Sequence, residues 1–197
     1  MDYAAERFAA QGYHPTSVTD ITEGLGVGKG VFYWYFESKE ALFSQILIEA
    51  ERDLRRSQKQ AVEDEPDPLR RIEKGIRATM GWLDENRNLF GLLELARTEE
   101  RFAPLVRQGE EQAIADTLPH VKAAIAAGFV RKEDPVVMAR AILGVTQQLA
   151  RAIMLEGGKP ASEVADSAVA FCLGGVISLT GAQARAPGYA GRRATAS

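Results

Sequence analysis

Hydrophobic positions along the chain recur mainly at the three- and four-residue spacing of amphipathic helices. This pattern predicts an all-α protein, because no segment shows the strict alternation of a half-buried strand. We expect the helices to lie over about 2–11, in two short pieces within 17–36, and then over about 38–61, 68–85, 88–97, 99–127, 134–155 and 160–183. The helix over 99–127 is predicted to kink at Pro104 or Pro119, since proline removes a helical hydrogen bond.

Two short helices joined by a tight turn are predicted within residues 17–36. Ser17 is followed three residues later by Asp20, the spacing of a capping box at a helix start. Gly24 and Gly26 fall where the chain must turn sharply, and glycine adopts positive φ at little steric cost. A second helix that opens near Gly28 is typical of a helix-turn-helix, in which that helix enters the major groove of DNA.

Three motifs follow one another in this part of the chain. They are Gly-Tyr-x-x-Thr-Ser-Val-x-Asp-Ile, then Gly-Val-x-Lys-Gly, then Phe-Tyr-x-Tyr-Phe-x-Ser-Lys-Glu-Ala-Leu-Phe, within residues 12–43. In this order they resemble the N-terminal domain of TetR-like (tetracycline-repressor-like) transcriptional regulators. The resemblance implies a three-helix DNA-binding domain, followed by a larger helical domain for ligand binding and dimerisation, without identifying the ligand.

The chain divides into three predicted regions. Residues 1–47 are expected to form the helix-turn-helix domain, 48–183 the helical ligand-binding and dimerisation domain, and 184–197 a disordered tail. The tail has little apolar content to bury. The long helix that joins the two domains is predicted to end before the acidic, proline-containing stretch 63–68.

A set of residues around the predicted turn is expected to bind DNA. The resemblance implies that Tyr33 binds phosphate and that Trp34 reaches the groove, while Lys29 and Val31 can contact base edges and Lys39 the backbone. The full predicted set is Ser17, Val18, Thr19, Gly28, Lys29, Gly30, Val31, Tyr33, Trp34, Tyr35 and Lys39.

The other aromatic residues of this domain are predicted to pack in its core. The set is Tyr3, Phe8, Tyr13, Phe32, Phe36 and Phe43. Tyr33, Trp34 and Tyr35 differ, because three successive residues of a helix cannot share one face. At least one of these three is therefore expected to point outward.

The charge of the first 50 residues opposes DNA binding. They hold three basic and seven acidic residues, a net charge of −4, whereas a DNA-binding domain is expected to carry a basic face. Placement can compensate, because Lys29 and Lys39 lie at predicted helix starts, whose positive dipole ends attract phosphate. Basic residues that follow on the next helix can add to this effect: Arg52, Arg55, Arg56 and Lys59.

The last two predicted helices carry apolar or small residues on more than one face. A helix of this kind must be covered all round, so a second copy of the chain is the natural partner, in a two-fold four-helix bundle. The candidate interface residues are Ala139, Leu143, Phe171, Gly174, Gly175 and Ser178.

A stripe of apolar and aromatic side chains in the larger domain could line an effector pocket. Its members are Ile76, Met80, Trp82, Leu83, Phe90, Phe102 and Leu105. For each residue taken singly, helical spacing favours ordinary core packing over a pocket contact. Because the stripe holds few charges, an apolar or aromatic effector is expected.

The leading functional hypothesis is a ligand-responsive transcriptional repressor, which binds a palindromic operator as a homodimer and is released by a small effector. An enzyme is disfavoured, because no catalytic arrangement is evident, and the two histidines His14 and His120 have no metal-ligand spacing. No cofactor is predicted, because the stretch Gly157-Gly158-Lys159-Pro160 is typical of a turn and lacks the spacing of a phosphate-binding loop. An architectural DNA-binding protein without a ligand is a further alternative, but the larger domain exceeds what a dimer clamp requires.

The sequence also predicts the state of Cys172, the cellular location of the protein and a short first helix. Cys172 lies among apolar helical neighbours, which favours a buried thiol over a redox sensor. A cytoplasmic protein is expected, because the chain lacks both a long uncharged apolar run and a signal-peptide layout. The first helix is shorter than that of TetR-like proteins and lacks their basic lead, so the start is expected to be truncated.

Overall fold

The computed structural model of the chain describes residues 1–130 and 132–176. These residues form helices joined by short connections and contain no strand, which confirms the all-α prediction. In these ranges the α-helices are α1 Asp2–Gln11, α2 Val18–Gly24, α3 Lys29–Tyr35, α4 Lys39–Val62, α5 Pro68–Glu85, α6 Arg87–Thr98, α7 Ala103–Ala126, α8 Pro135–Leu149 and α9 Ala161–Val176. A 3-10 turn spans Glu100–Phe102, and α8 continues as a π-helical stretch over Ala150–Leu155.

The helix expected over 99–127 differs from its prediction. The 3-10 turn precedes α7, and Pro104 lies in the first turn of α7, where its missing N–H is not needed. Pro119 lies inside α7, so this helix lacks the hydrogen bond that residue 119 would donate to residue 115. The last helix is described only as far as Val176, and the predicted end of that helix and the tail 184–197 lie outside the described residues.

Side-chain caps fix the helix starts that the sequence predicts. The Ser17 hydroxyl accepts a hydrogen bond from the Asp20 N–H at 3.1 Å, and the Asp20 carboxylate accepts one from the Ser17 N–H at 2.7 Å. These two bonds confirm the capping box. Ser38 caps α4 by accepting from the Ala41 N–H at 3.1 Å, and Asp134 caps α8 by accepting from the Val136 N–H at 2.8 Å.

The two glycines of the α2–α3 turn have different functions. Gly26 has a φ of 67°, a left-handed conformation that favours glycine. Gly24 is the last residue of α2 and does not have positive φ. A Cβ at Gly24 would overlap the hydroxyl group and ring of Tyr3, so this glycine lets α1 approach the end of α2.

An aromatic cluster forms the core of the first four helices, and residues of the larger domain complete it. Phe43 is fully buried, with ring centroids 5.3 Å from Phe8, 4.7 Å from Tyr13 and 4.7 Å from Phe102. We call this cluster the N-terminal core: Ala4, Ala5, Phe8, Tyr13, Ile21, Phe32, Leu42, Phe43, Ile46 and Leu47, with Leu92, Ala96 and Phe102 from beyond α4. The core placement predicted for Phe8, Tyr13, Phe32 and Phe43 is confirmed, while Tyr3 and Phe36 are half-buried against the same cluster.

A second cluster, the C-terminal core, is formed by α5, α7, α8 and α9. It includes Met80, Ala139 and Ala168, which have no exposed surface. Along α4 the buried residues change from the N-terminal core to the C-terminal core between Leu47 and Ala50. This change makes α4 a structural member of both clusters, and the domain division at residues 47–48 stays a prediction.

None of the helices described here is long and apolar enough to cross a membrane.

Candidate DNA-binding surface and effector cavity

Helix α3 buries one side chain and exposes nearly all the others. Phe32 packs in the N-terminal core, whereas Tyr33, Trp34 and Tyr35 are 56%, 81% and 70% exposed. Lys29 and Val31 are also exposed, at the first turn. We call residues 29–35, apart from Phe32, the α3 surface.

The α3 surface combines one cation with a row of aromatic side chains. In the described chain no acidic group pairs with Lys29, so its ammonium group is available to an anionic partner. The ring centroids of Trp34 and Tyr35 lie 5.5 Å apart, so the two aromatic groups form one continuous patch. A patch of this composition can contact phosphates, base edges and thymine methyl groups.

Lys39 has an internal role that the sequence did not indicate. Its ammonium group donates to the backbone carbonyls of Tyr13 at 2.9 Å, Thr16 at 2.9 Å and His14 at 3.3 Å, and it lies 4.4 Å from the Tyr13 ring centroid. An ammonium group has three N–H donors, and all three are used here. Lys39 thus ties the α1–α2 connection to the start of α4, and its phosphate contact stays a prediction.

The remaining predicted DNA-binding residues lie at the start of α2 and before α3. Ser17 is exposed, but its hydroxyl already takes part in the capping box. Val18 and Thr19 are half-buried. Gly28 and Gly30 are exposed, with open space around their Cα atoms. The surface available to a duplex is therefore mainly that of α3.

A cavity of about 960 Å³ lies in the larger domain between α4, α5, α6, α7 and α8. Four of the seven predicted pocket residues line it: Ile76, Leu83, Phe90 and Leu105. The cavity is large enough for a drug-sized ligand.

The other three predicted pocket residues lie elsewhere. Met80 is fully buried in the C-terminal core, and Phe102 belongs to the N-terminal core. The Trp82 indole N–H donates to the Asp53 carboxylate at 2.8 Å, which directs this ring to α4 and away from the cavity. For Met80 and Trp82, helical spacing could not distinguish the cavity side of α5 from its other buried side.

Polar and charged residues of α4 and α7 form much of the cavity wall. Glu51 is half-buried, and burial is the main cause that raises the pKa of its carboxyl group. A Cβ at Gly109 would overlap this carboxyl group, so the glycine leaves room for Glu51 between α4 and α7. Sequence reasoning missed both residues because it searched only the apolar stripe.

Ion pairs bridge the helices around the same cavity. Arg55 of α4 binds Asp116 of α7 through two hydrogen bonds of 2.5 and 3.1 Å. Arg97 of α6 binds Glu94 at 3.1 Å and also Glu110 of α7. The pairs join α4 to α7 and α6 to α7, so they fix the relative positions of helices that line the cavity.

A network of side chains connects the larger domain to the first helices through the Glu99–Phe102 segment. The Phe102 ring packs 5.4 Å from the Tyr13 ring, between centroids. Glu99 binds His14 Nε2 at 2.6 Å, and Arg101 binds Glu40 at 3.2 Å. The Tyr13 hydroxyl also donates to Glu40, at 2.9 Å, and burial followed by this bond raises the pKa of Tyr13 to about 12.

The candidate dimer residues fall into three groups. Ala139 has no exposed surface, and Leu143 is half-buried and lines the cavity. Phe171 is 67% exposed and Gly174 is exposed. Gly175 lies in α9 without a described environment, and Ser178 lies outside the described residues.

Cys172 lies in a buried position, as its apolar helical neighbours indicate. This burial raises the pKa of its thiol to about 11. Among the residues that the structure describes, no three His, Cys, Asp or Glu side chains lie close enough together to hold a metal ion.

Comparisons with known proteins agree with this arrangement. The sequence model of the family "Bacterial regulatory proteins, tetR family" matches residues 1–46. The repressor DhaR from Mycobacterium sp. (strain GP1) is 38% identical over 108 residues, which cover 50% of this chain and about half, 54%, of DhaR. The transcriptional regulator YdgC from Bacillus subtilis (strain 168) is 22% identical over 179 residues, which cover 88% of this chain and 89% of YdgC.

A solved structure extends the likeness to the whole fold. The fatty acid degradation regulator FadR from Bacillus halodurans superposes with a TM-score of 0.78 at 18% identity, covering 88% of this chain and 92% of FadR. These relatives are transcriptional regulators and not enzymes, in agreement with the sequence expectation. The matched N-terminal sequence and the α2–α3 geometry agree with a tetR-family DNA-binding domain over residues 1–46, and the larger domain shares its fold with this solved regulator.

Proposed function

We propose that the protein is a ligand-responsive transcriptional repressor, which binds a palindromic operator as a homodimer and leaves it when a small effector fills the cavity. The observation that carries the proposal is that α4 and the Glu99–Phe102 segment belong to both halves of the molecule. They connect the cavity wall to the helices that present the α3 surface. The named repressor DhaR supports a repressing role, and a cytoplasmic location follows from the target.

Within the α3 surface, some residues are proposed to contact base edges and others to contact the DNA backbone. Lys29 and Val31 lie in the first turn, where a lysine can donate to guanine and an apolar side chain can contact a thymine methyl group. The Tyr33 hydroxyl is suited to phosphate, and Trp34 reaches furthest from the core. With Lys39 engaged internally, Lys29 supplies the main cationic contact from this helix.

A second copy of the chain is proposed to cover exposed apolar side chains of α8, the π-helical stretch and α9. Phe171 and Val137 are 67% and 61% exposed, and Val136 and Ile153 are also partly exposed. Pairing two copies across a two-fold axis would place two α3 surfaces on one face, to read two half-sites of a palindrome. Phe171→Asp is expected to yield monomers in sedimentation, as is Gly174→Arg, whereas Val27→Asp, on the α2–α3 turn, should leave the dimer intact.

Effector binding is proposed to act by displacing Phe102. Helices α6 and α7 both line the cavity, and the Glu99–Phe102 segment joins them. A ligand that moves α6 relative to α7 would shift Phe102 within the N-terminal core, and with it the orientation of α1 and α4. Such a ligand shifts the population toward a form with lower affinity for DNA, since it binds the two forms unequally.

The proposal is tested by selecting duplexes from a random pool with the purified protein. Enrichment of a palindrome bound by one dimer supports the proposal, and Lys29→Ala should then weaken binding. A compound that raises the melting temperature should also release the duplex, in a fluorescence anisotropy titration. A protein that enriches no sequence, or that holds the duplex unchanged when the cavity is filled, would contradict the proposal.

A further inference from the structure

Positive charge at one end of the cavity lacks an acidic partner. Lys59 and Arg71 both line this end, where α4 ends and α5 begins. The helices run antiparallel, with Gln58 of α4 donating to Thr79 of α5 at 2.8 Å. In the described residues no carboxylate pairs with Lys59 or Arg71. The Arg71 Nε donates to a neutral acceptor, the backbone carbonyl of Glu65, while the Glu65 carboxylate pairs with Lys74 at 2.8 Å.

His120 of α7 faces the same end of the cavity. Burial is the main cause that lowers the pKa of His120, followed by the positive charge of Arg71. The opposing carboxylate, Asp116, is already engaged by both hydrogen bonds from Arg55. A neutral imidazole beside Arg71 can donate a hydrogen bond to an anion without adding another charge.

The cavity also has an apolar wall, and its carboxylates Glu94, Glu110 and Asp116 are paired with arginines. Ile76, Leu83, Phe90 and Leu93 form a continuous apolar wall from α5 to α6. Glu51 is the one lining carboxylate without an arginine or lysine within ion-pair distance in the described chain. Burial raises the pKa of the Glu51 carboxyl group, so this group ionises less readily than an ordinary glutamate.

We infer that the effector is an amphipathic carboxylate, whose anionic group binds Lys59, Arg71 and His120 and whose apolar body lies on Ile76, Leu83 and Phe90. The inference rests on the proposed function and adds a charged group to the apolar or aromatic effector expected from the sequence. Pairing with two cations offsets the cost of taking the carboxylate out of water. A cationic effector would meet repulsion from Lys59 and Arg71 in the same space.

Three compounds of equal length test the charge preference. The full chain is titrated by calorimetry with 4-phenylbutyrate, 4-phenylbutanol and 4-phenylbutylamine, and decanoate tests a purely aliphatic body. The two carboxylates should bind most tightly. Lys59→Gln should weaken carboxylate binding about fivefold to tenfold and change alcohol binding less than about twofold.

Matched variants distinguish a direct contact of Lys59 or Arg71 with the carboxylate from a general effect of the protein's charge. Arg70→Gln removes the same charge one residue before Arg71, from an exposed side chain that does not line the cavity, and should leave all affinities unchanged. Arg71→Gln should act as Lys59→Gln does. It also removes the hydrogen bond to Glu65, so Lys59→Gln decides the matter if Arg71→Gln unfolds.

The outcomes distinguish this inference from the proposed function. Preference for the amine, equal affinity for all three compounds, or no binding by either carboxylate would overturn the inference. In each of these cases, sequence-selective DNA binding by the same preparation would leave the proposed regulator intact. Loss of DNA selectivity with retained carboxylate binding would instead overturn the regulator and leave the anion site standing.

Discussion

The two cores of the molecule are packed in different ways. The N-terminal core is filled by aromatic rings whose centroids lie 4.7–5.6 Å apart, and hydrogen bonds from Lys39 and Tyr13 close its edge. The larger domain surrounds a cavity of about 960 Å³, whose wall includes Glu51, Arg55 and Asp116. Close packing keeps the α3 surface in a fixed orientation, whereas the cavity gives the larger domain room to adapt to a ligand.

The largest expected difference is in the stability lost when a phenylalanine is truncated in the N-terminal core or in the cavity wall. Phe43→Ala should lower the free energy of unfolding by about 3–5 kcal/mol, because Phe43 is enclosed on all sides. Phe90→Ala should cost only about 2 kcal/mol, since Phe90 already borders empty space. Urea denaturation measures both values. Equal losses would show that the cavity wall is packed as tightly as the N-terminal core.

Alanine substitutions at two glycines compare the rigidity of the same two regions. Gly24→Ala should destabilise the protein by about 2 kcal/mol, because the new methyl group meets the rigid ring of Tyr3. Gly109→Ala should cost less than about 1 kcal/mol, because the flexible Glu51 side chain can turn into the cavity.

Gly81→Ala is the control for these glycine variants. It lies within α5 with open space around its Cα, and should be stabilising by about 0.5–1 kcal/mol. Thermal melts rank the three variants. A Gly109→Ala loss as large as that of Gly24→Ala would contradict an adaptable cavity wall.

Lys29 and Lys39 are expected to give opposite phenotypes. Lys29→Ala should lower the salt slope of DNA binding by about one unit and leave the melting temperature unchanged. Lys39→Ala should lower stability by about 1–2 kcal/mol, through three lost hydrogen bonds, with an unchanged salt slope. Titrations at several salt concentrations, with melts of both variants, compare them. A lower salt slope for Lys39→Ala would support its predicted phosphate contact.

The smallest expected effect comes from Cys172 in the C-terminal core. Its thiol pKa is raised to about 11, so at pH 8 a thiol reagent should react far more slowly with the native protein than with protein in urea. Above the ordinary thiol pKa only the unfolded state loses this proton. The Cys172 contribution therefore lowers stability as the pH rises toward about 11. Rapid labelling of the native protein at pH 8 would show that this core opens readily.

Local patterns in the sequence predicted the helices and the α3 surface. Capping residues mark helix starts by direct contact with the nearby backbone, so Ser17, Ser38 and Asp134 could be identified from their neighbours alone. The core placement of Phe8 and Phe43 followed in the same way from helical spacing.

Features that depend on distant residues could not be predicted. Lys39 binds carbonyls more than 20 residues away, and Phe102 packs into the core of the first helices. Both side chains suit several environments, and sequence spacing does not distinguish them. The charged cavity wall was missed for the same reason, because α4 and α7 meet across about 60 residues of chain, as in the Arg55–Asp116 pair.

Trp34 offers the most direct test of the proposed DNA contact, because the chain has only one other tryptophan, Trp82, which is buried. In the Trp82→Phe variant all tryptophan emission comes from the α3 surface. Adding a selected duplex should quench or shift this emission, with saturation at one dimer per palindrome, while a scrambled duplex should need a higher concentration. If anisotropy of a labelled duplex shows specific binding while the Trp34 emission stays unchanged, the α3 surface does not contact DNA.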